Sequence, residues 1–324
     1  MPKQGLRRRD IVLAAVAIAA APKAAFAQGG VVKIIAPFPP GGSVDAISRM
    51  VQPGLQQRLG ASVIVENRVG GGGSIGANAV AKSPPDGLTW LMVFDTHAVN
   101  PTLLPNLPFD SVKDLEPVEL IGTAPMVLAC HPSRPFRTLA DVLAAAKAAP
   151  GKLTYATIGN GSLGHLAMVL LGKRAGVQLT HVPYRGGGPA MNDAVGGHVD
   201  MIIGSAALVA PQVTGGLIRP LVQTAAKRIS TMPTVPTVLE SGYDGFIADA
   251  WWGVFAPAGT PKPVIERFRT ALVETIREPA IADRLTGQQQ INLVLGGPEA
   301  FRDFFAGQMK IWGDVVRENG IKPD

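Results

Sequence analysis

Cysteine is almost absent from this chain of 324 residues, and its scarcity limits how the fold can be held together. Cys130 is the only cysteine, so no disulfide can form within the chain even in an oxidising compartment. Aromatic residues make up only 6% of the sequence, whereas glycine and proline are abundant. Stability must therefore come from the packing of apolar residues.

Long apolar runs and metal-binding spacings are also missing. The apolar segment at residues 11–21 is shorter than the roughly 20 residues that a membrane-spanning helix needs. The five histidines show no spacing typical of a metal site. We therefore expect neither a metal nor a cofactor.

The excess of positive charge is concentrated at one end of the chain. The formal net charge is +6, and the first 27 residues contain five basic residues and one acidic residue. The remaining chain therefore carries about +2 and has no lysine or arginine run. This near-neutral balance argues against nucleic acid as a partner.

The first 27 residues have the pattern of an export signal. Three arginines at positions 7–9 precede the apolar segment, and residues 25–27 form an Ala-Phe-Ala cleavage pattern. We expect cleavage after Ala27. The adjacent arginines, together with Lys23 just before the cleavage site, favour the twin-arginine route.

The 297 residues after this signal are at the length where one hydrophobic core usually divides into two. Short Val/Ile/Leu runs alternate with Ala/Leu-rich helical patterns, which predicts an α/β fold of mainly parallel sheets flanked by helices. We place the first lobe at residues 28–126 plus 253–324 and the second lobe at residues 127–252. Predicted strands at 121–131 and 250–257 would be the two crossovers between them.

Apolar periodicity also predicts individual elements. Residues 46–59 form a predicted helix, in which Pro53 would produce a kink or an early end. Residues 109–120 have the composition of a surface loop. Residues 95–101 follow a predicted buried strand, at the edge of an α/β sheet where ligands usually bind.

The stretch from Phe38 to Asp45 links a predicted strand to a predicted helix through two prolines and two glycines. The glycines let the backbone approach another group closely, and Ser43 or Asp45 can lie in the first helical turn. Free N–H groups at a helix start attract a carboxylate or a phosphate. Considered alone, however, these residues fit a capped turn without a ligand better than a binding site.

A second strand-to-helix turn of the same kind contains Gly161, Ser162 and His165. It lies about 120 residues further on, in the other predicted lobe, so the two turns could face each other across a cleft. A third glycine-rich loop begins with Tyr184 and Arg185, of which we expect at least one to contact the ligand or the opposite lobe. The cleft would then be lined from both lobes.

Two enzyme-like interpretations share these residues. Gly71, Gly73 and Gly76 satisfy G-x-G-x-x-G, but no acidic residue follows at the position that a dinucleotide site requires. Ser162 lies in a sequence close to the G-x-S-x-G motif of an exported serine hydrolase, with Asn160 in place of the first glycine. The later histidines follow too soon after Ser162 for the usual order of a hydrolase triad. Hydrolysis is therefore the alternative function.

Taken together, the motifs resemble those of one known family along essentially the whole mature chain. In order and spacing they are similar to the periplasmic substrate-binding proteins of tripartite tricarboxylate transporters, the Bug or TctC family. The matching landmarks are residues 37–43 with Asp45 and Arg49, residues 65–68 with Gly76, and residues 84–87, 153–155, 161–166, 182–186 and 251–257.

This resemblance implies a two-lobed periplasmic binding fold (type II-like) with two crossover strands. It also implies a receptor without enzymatic activity that closes on a small mono-, di- or tricarboxylate. The partners would be the permease subunits of a tripartite tricarboxylate transporter or a sensor in the membrane, and we expect the receptor to be a monomer in the periplasm. The candidate ligand contacts are Phe38, Pro40, Gly41, Gly42, Ser43 and Asp45 in the first lobe, and Gly161, Ser162, His165, Tyr184, Arg185 and Gly204 in the second.

The end of one buried strand departs from the family pattern. Many relatives have an acidic residue there, whereas this chain has Ile203, Gly204 and Ser205. The departure disfavours recognition of an amino group and favours a plain carboxylate.

Overall fold

The computed structural model describes residues 30–323. The predicted export signal, residues 1–27, lies outside the described residues. Within the described part of the chain, no helix is both long and apolar enough to cross a membrane.

Strands and helices alternate from the start of the described chain, as the sequence predicts. The first group of elements is β1 (Val32–Ala36), α1 (Ser43–Leu59), β2 (Val63–Asn67), α2 (Ser74–Ala81), β3 (Thr89–Phe94) and α3 (Thr96–Leu103). A single 3₁₀ turn, Gly71–Gly73, precedes α2.

The second group of elements follows a long strand, β4 (Leu115–Cys130). It consists of α4 (Leu139–Ala148), β5 (Thr154–Thr157), α5 (Leu163–Ala175), β6 (Thr180–Pro183), α6 (Gly187–Val195), β7 (Met201–Ser205), α7 (Ala206–Thr214) and β8 (Arg219–Gln223).

The chain then returns through a second long strand, β9 (Asp249–Pro257). The last elements are α8 (Lys262–Ile276), α9 (Pro279–Asp283), a π-helical turn (Arg284–Gln288), β10 (Asn292–Leu293) and α10 (Gly297–Glu318).

The pairing of the strands defines two lobes that share β4. In the first lobe, β1 lies parallel to both β2 and β3, and in the second lobe β5 lies parallel to both β6 and β7. Leu115 to Pro125 of β4 pair antiparallel with β9, which also pairs with β3. Met126 to Cys130 pair with β7. One strand thus changes partners from the first sheet to the second along its length.

Tryptophan and phenylalanine side chains fill the first lobe. Trp90 stacks on Phe268 of α8 with ring centroids 3.8 Å apart, and both are buried. Trp251 is surrounded by phenylalanines of α10, and a Cβ at the neighbouring Gly253 would overlap the ring of Phe301. The C-terminal helix therefore packs directly on the return strand β9.

The predicted early end at Pro53 is wrong, because α1 continues through Pro53 to Leu59. Proline removes one backbone hydrogen bond from a helix interior. The neighbouring Gly54 packs tightly on α8, since a Cβ at Gly54 would lie 2.7 Å from the hydroxyl oxygen of Thr275. The local sequence does not show this tertiary contact.

The prediction of a surface loop at residues 109–120 is wrong in its second half. Residues 115–120 belong to β4, and Glu119 there is completely buried. Its carboxylate accepts a hydrogen bond from the Gly297 N–H at 2.7 Å and lies 2.9 Å from the Nε of Arg269. Burial raises the pKa of Glu119, while Gly297 and Arg269 oppose that rise. Glu119 has the sequence context of a surface residue, because its partners Arg269 and Gly297 are distant in the chain.

Removal of Arg269 is expected to leave the Glu119 carboxylate buried without its ion partner. Arg269→Ala should lower the free energy of unfolding by about 3 kcal/mol in denaturant titrations. The matched control is Arg302→Ala, because Arg302 pairs with Glu116 where both side chains are exposed, and its loss should stay below about 1 kcal/mol. Equal losses in the two variants would contradict the structural role of Glu119.

Candidate functional site

The first turn, residues 38–43, connects β1 to the start of α1. No side chain caps the start of α1, whose N-cap residue is Gly42. The first N–H groups of a helix have no acceptor within the helix. Phe38 lies beside this helix start and packs edge-on against Phe94, whereas Pro40 and Gly41 are exposed. The turn therefore presents free backbone donors next to an aromatic side chain.

Asp45 holds this turn in shape, and its carboxylate is already occupied. The oxygens accept hydrogen bonds from the Gly41 N–H, the Arg49 Nε and the Asn67 Nδ2, each at 3.0 Å. Asn67 also donates to the carbonyl oxygen of Phe38 at 3.0 Å. Burial by itself raises the pKa of Asp45, but these hydrogen bonds outweigh it and lower the pKa below its ordinary value. Asp45 therefore remains ionised and shapes the turn from behind.

The second turn leads directly into α5, which begins at Leu163. Ser162 is the N-cap, and its Oγ accepts a hydrogen bond from the His165 N–H at 3.4 Å. The Gly161 N–H donates to Nδ1 of His165 at 3.1 Å. Gly161 has a φ of 68°, a conformation that glycine adopts without strain. The turn is thus held by its own first helical residues.

His165 belongs to a stack of rings behind the second turn. The centroid of its ring lies 3.9 Å from that of His181, at an interplanar angle of 8°, and the ring of Tyr155 also stacks on His181. Nε2 of His181 lies 2.6 Å from the Thr157 hydroxyl. Burial lowers the pKa of His181 to about 3, with a further contribution from His165. His181 is therefore neutral at pH 7 and supports the turn by packing.

The third loop follows β6 and contains Tyr184 and Arg185. The Tyr184 hydroxyl donates to the carboxylate of Asp193 at 2.6 Å, and burial raises its pKa to about 12, with Asp193 adding to the rise. Arg185 is exposed, and within residues 30–323 no carboxylate forms an ion pair with it. Gly204 is buried in β7, and a Cβ there would lie 2.9 Å from Leu208.

Three contacts bring the two lobes together at these turns. The side chain of Leu103 packs so closely on Gly161 that a Cβ at Gly161 would overlap it. A Cβ at Gly186, in the third loop, would lie 3.9 Å from Cγ of Pro39 in the first turn. The carboxyl group of Asp95, just after β3, lies against the N–H of Leu163 in α5. These contacts place the third loop beside the first turn, and Leu103 and Asp95 of the first lobe beside the second turn.

The structure adds three residues to the candidate ligand contacts named from the sequence. Leu103 and Asp95 reach the second lobe from α3 and from the end of β3. Trp252, in β9, donates from Nε1 to the Ser43 Oγ at 3.1 Å. Only Asp95 had a sequence signal, since it directly follows a buried strand. The other two contacts depend on how the lobes meet.

The contacts of Ser162 and His181 do not form the serine–histidine pair that the hydrolase alternative requires. The Ser162 hydroxyl serves as a helix cap, and the His181 ring is hydrogen-bonded to the Thr157 hydroxyl rather than to Ser162. Within the described range, no group of three or more His, Cys, Asp or Glu residues is placed to hold a metal ion. Gly76 of the G-x-G-x-x-G stretch is a packing position, because a Cβ there would lie 2.7 Å from Cβ of Pro37.

Solved structures with the same fold include three proteins of related sequence. The periplasmic binding protein BugD is 31% identical, with a TM-score of 0.84 over 91% of this chain and 99% of its own. A protein of R. palustris solved with adipate is 30% identical, with a TM-score of 0.86 over 92% and 99% of the two chains. MatC from Rhodopseudomonas palustris, with bound malate, is 29% identical, with a TM-score of 0.82 over 89% and 99%.

The family assignment comes from the sequence itself. Residues 47–321 match the family described as the tripartite tricarboxylate transporter family receptor, TctC. The predicted α/β fold of two lobes with mainly parallel sheets is confirmed by the solved structures. The chain therefore belongs to the TctC family of solute-binding receptors, which are periplasmic binding proteins rather than enzymes.

Proposed function

We propose that this receptor binds a small carboxylate between the first turn (residues 38–43) and the second turn (residues 161–165). The observations that carry the proposal are the uncapped N-terminus of α1 and the contacts of Leu103 and Asp95 with the start of α5 in the opposite lobe. Helix N-termini attract anions through free N–H groups and the helix dipole. The relatives solved with adipate and with malate support a carboxylate as the anion.

The two serine hydroxyls add donors to these backbone groups. The Ser43 Oγ accepts from Trp252, and the Ser162 Oγ accepts from the His165 N–H. A hydroxyl has one donor and two acceptor positions, so each serine still has its own O–H to donate. A carboxylate accepts several hydrogen bonds at once, which makes it the complementary ligand.

The remaining candidates act around these donors. Phe38, Pro40, Gly41 and Gly42 form the surface of the first turn, and Gly204 lies in β7 below the second lobe's loops. Asp45 and His165 fix the two turns, and Tyr184 fixes the third loop through Asp193. Arg185 is an exposed cation beside the cleft, where it would attract anionic ligands from solution.

Lobe closure would couple binding to transport. We infer lobes at residues 28–126 plus 253–324 and at residues 127–252, and the change of partners along β4 between Pro125 and Met126 supports that division. The open form would admit the carboxylate, and the closed form, a monomer, would dock on the permease subunits of the transporter or on a sensor. Export would use the twin-arginine signal at residues 1–27, with cleavage after Ala27.

A thermal-unfolding screen tests the ligand class. The panel is acetate, succinate, malate, adipate, citrate and aspartate, with glycerol and ribose as neutral controls. At least one carboxylate should stabilise the protein, by about 2.7 kcal/mol when its concentration is 100 times the Kd. Stabilisation by a neutral solute alone would refute the carboxylate proposal. Ester turnover by the parent chain that disappears in Ser162→Ala would revive the hydrolase alternative.

Closure is tested at the contact between Gly161 and Leu103. Gly161→Ala should weaken binding of the stabilising carboxylate about 10- to 100-fold in calorimetric titrations, because overlap with Leu103 costs about 1–3 kcal/mol. Gly176→Ala is the matched control, since Gly176 ends the same helix with a φ of 63° and has open space around it. The control should change affinity by less than about twofold, because the added Cβ meets nothing there.

A double variant separates overlap from backbone strain. Adding Leu103→Ala to Gly161→Ala removes the overlapping side chain and should restore most of the lost affinity. Equal affinity losses in Gly161→Ala and Gly176→Ala, with no recovery in the double variant, would show that the cleft does not close on Gly161.

A further inference from the structure

Asp95 is a buried acid that has no role in the carboxylate site proposed above. It directly follows β3 and is 0% exposed, and neither carboxylate oxygen has a hydrogen bond of good geometry. The nearest donors are the backbone N–H groups of Thr96 and of Leu163. Leu163 is the first residue of α5, which is 13 residues long, in the opposite lobe. The acid is therefore aimed at the helix N-terminus that we propose holds the ligand.

The elements around this end of β3 are β1, β9 and α1 to α3 in the first lobe, and α5 in the second. The titratable or charged side chains at their near ends are Asp45, Arg49, His97, His165 and Asp249. Those at their far ends are Lys33, Arg58, Lys173 and Arg174.

None of these side chains holds Asp95 in its ionised form. Arg49 is paired with Asp45 at 3.0 Å. His97 lies among aromatic rings, and burial lowers its pKa to about 4, so it is neutral at pH 7. Burial raises the pKa of Asp95 well above its ordinary value, and only the N–H groups of Thr96 and Leu163 oppose that rise. Complete burial without a cationic partner therefore favours the neutral acid form of Asp95.

A neutral acid at this place resolves a conflict within the site. An ionised Asp95 beside the ligand's carboxylate would place two like charges in one dry cleft, and such pairs share a proton instead. A protonated carboxyl group has one O–H to donate. We propose that Asp95 is a specificity-determining residue of the cleft, which donates a hydrogen bond from its neutral carboxyl group to a carboxylate oxygen of the ligand.

The proposal rests on the carboxylate function proposed above, and it adds the uptake of one proton when the ligand binds. Opening of the lobes would withdraw α5 and give Asp95 access to water, where an aspartate has a pKa of about 3.9 and is ionised at pH 7. Closure on the ligand then takes up one proton from solvent onto Asp95. Because the closed form has the higher pKa, binding is tightest at low pH and weakens as pH rises. The loss approaches tenfold per pH unit between the open-form and closed-form pKa values.

Calorimetric titration of the full mature chain tests this linkage. Each panel carboxylate that stabilises the protein is titrated at pH 6, 7 and 8, in buffers that differ in ionisation enthalpy. We expect uptake of about one proton per ligand at pH 6 to 7 and a Kd that rises up to tenfold per pH unit. Asp95→Asn keeps a hydrogen-bond donor without a titrating proton, so it should still bind and should lose both the proton uptake and the pH dependence.

Asp249→Asn is the matched control, because Asp249 is another acid at this side of the cleft whose pKa burial raises to about 6. It should retain the proton uptake of the parent chain. Loss of proton uptake in Asp249→Asn, rather than in Asp95→Asn, would overturn the assignment to Asp95.

The remaining outcomes separate the two proposals. Carboxylate binding by the parent chain without proton uptake would refute the role of Asp95 alone. Tighter binding of aspartate than of succinate or malate, again without proton uptake, would show that Asp95 is ionised and pairs with an ammonium group. If no panel carboxylate binds, the carboxylate function fails and this inference fails with it.

Discussion

Unsatisfied backbone donors at two helix starts are the constraint on which the rest of this structure depends. The first N–H groups of α1 have no side-chain cap, whereas in α5 Ser162 caps the His165 N–H and the Leu163 N–H lies against Asp95 of the opposite lobe. Burying such donors without an acceptor costs free energy, so a dry, closed cleft needs an anion between them. In the proposed function, the two lobes, the shared strand β4 and the close contact at Gly161 would bring these two helix starts to one ligand.

The side chains around the cleft are mostly committed to holding that geometry. Asp45 is occupied by the Gly41 N–H, Arg49 and Asn67, and Tyr184 is occupied by Asp193. In the proposed function, ligand recognition would therefore fall to backbone groups and serine hydroxyls, which recognise a carboxylate group and contact little else of the ligand. Asp95 would be the exception, because its neutral acid form adds a donor whose presence depends on pH. A site without a buried cation can then still favour an anion over a zwitterion.

Local sequence predicts this fold well wherever the cause is local. Strand-to-helix turns with glycine and serine at residues 38–43 and 161–165 are visible in the chain because each turn needs only its own residues. Pro53 and Glu119 mislead for the opposite reason. Their environments come from Thr275 and Arg269, more than a hundred residues away in the chain. The contact of Leu103 with Gly161 is equally remote, so the sequence indicates two half-sites but not the side chains that join them.

The central claim is that the first and second turns bind one ligand together. Hydrogen–deuterium exchange, with and without the carboxylate that stabilises the protein most, measures this directly at the backbone amides. The account predicts that the amides of residues 41–45 and of residues 161–165 become protected together, at one ligand concentration. Protection of only one turn, or of neither turn while ligand is bound elsewhere, would contradict it.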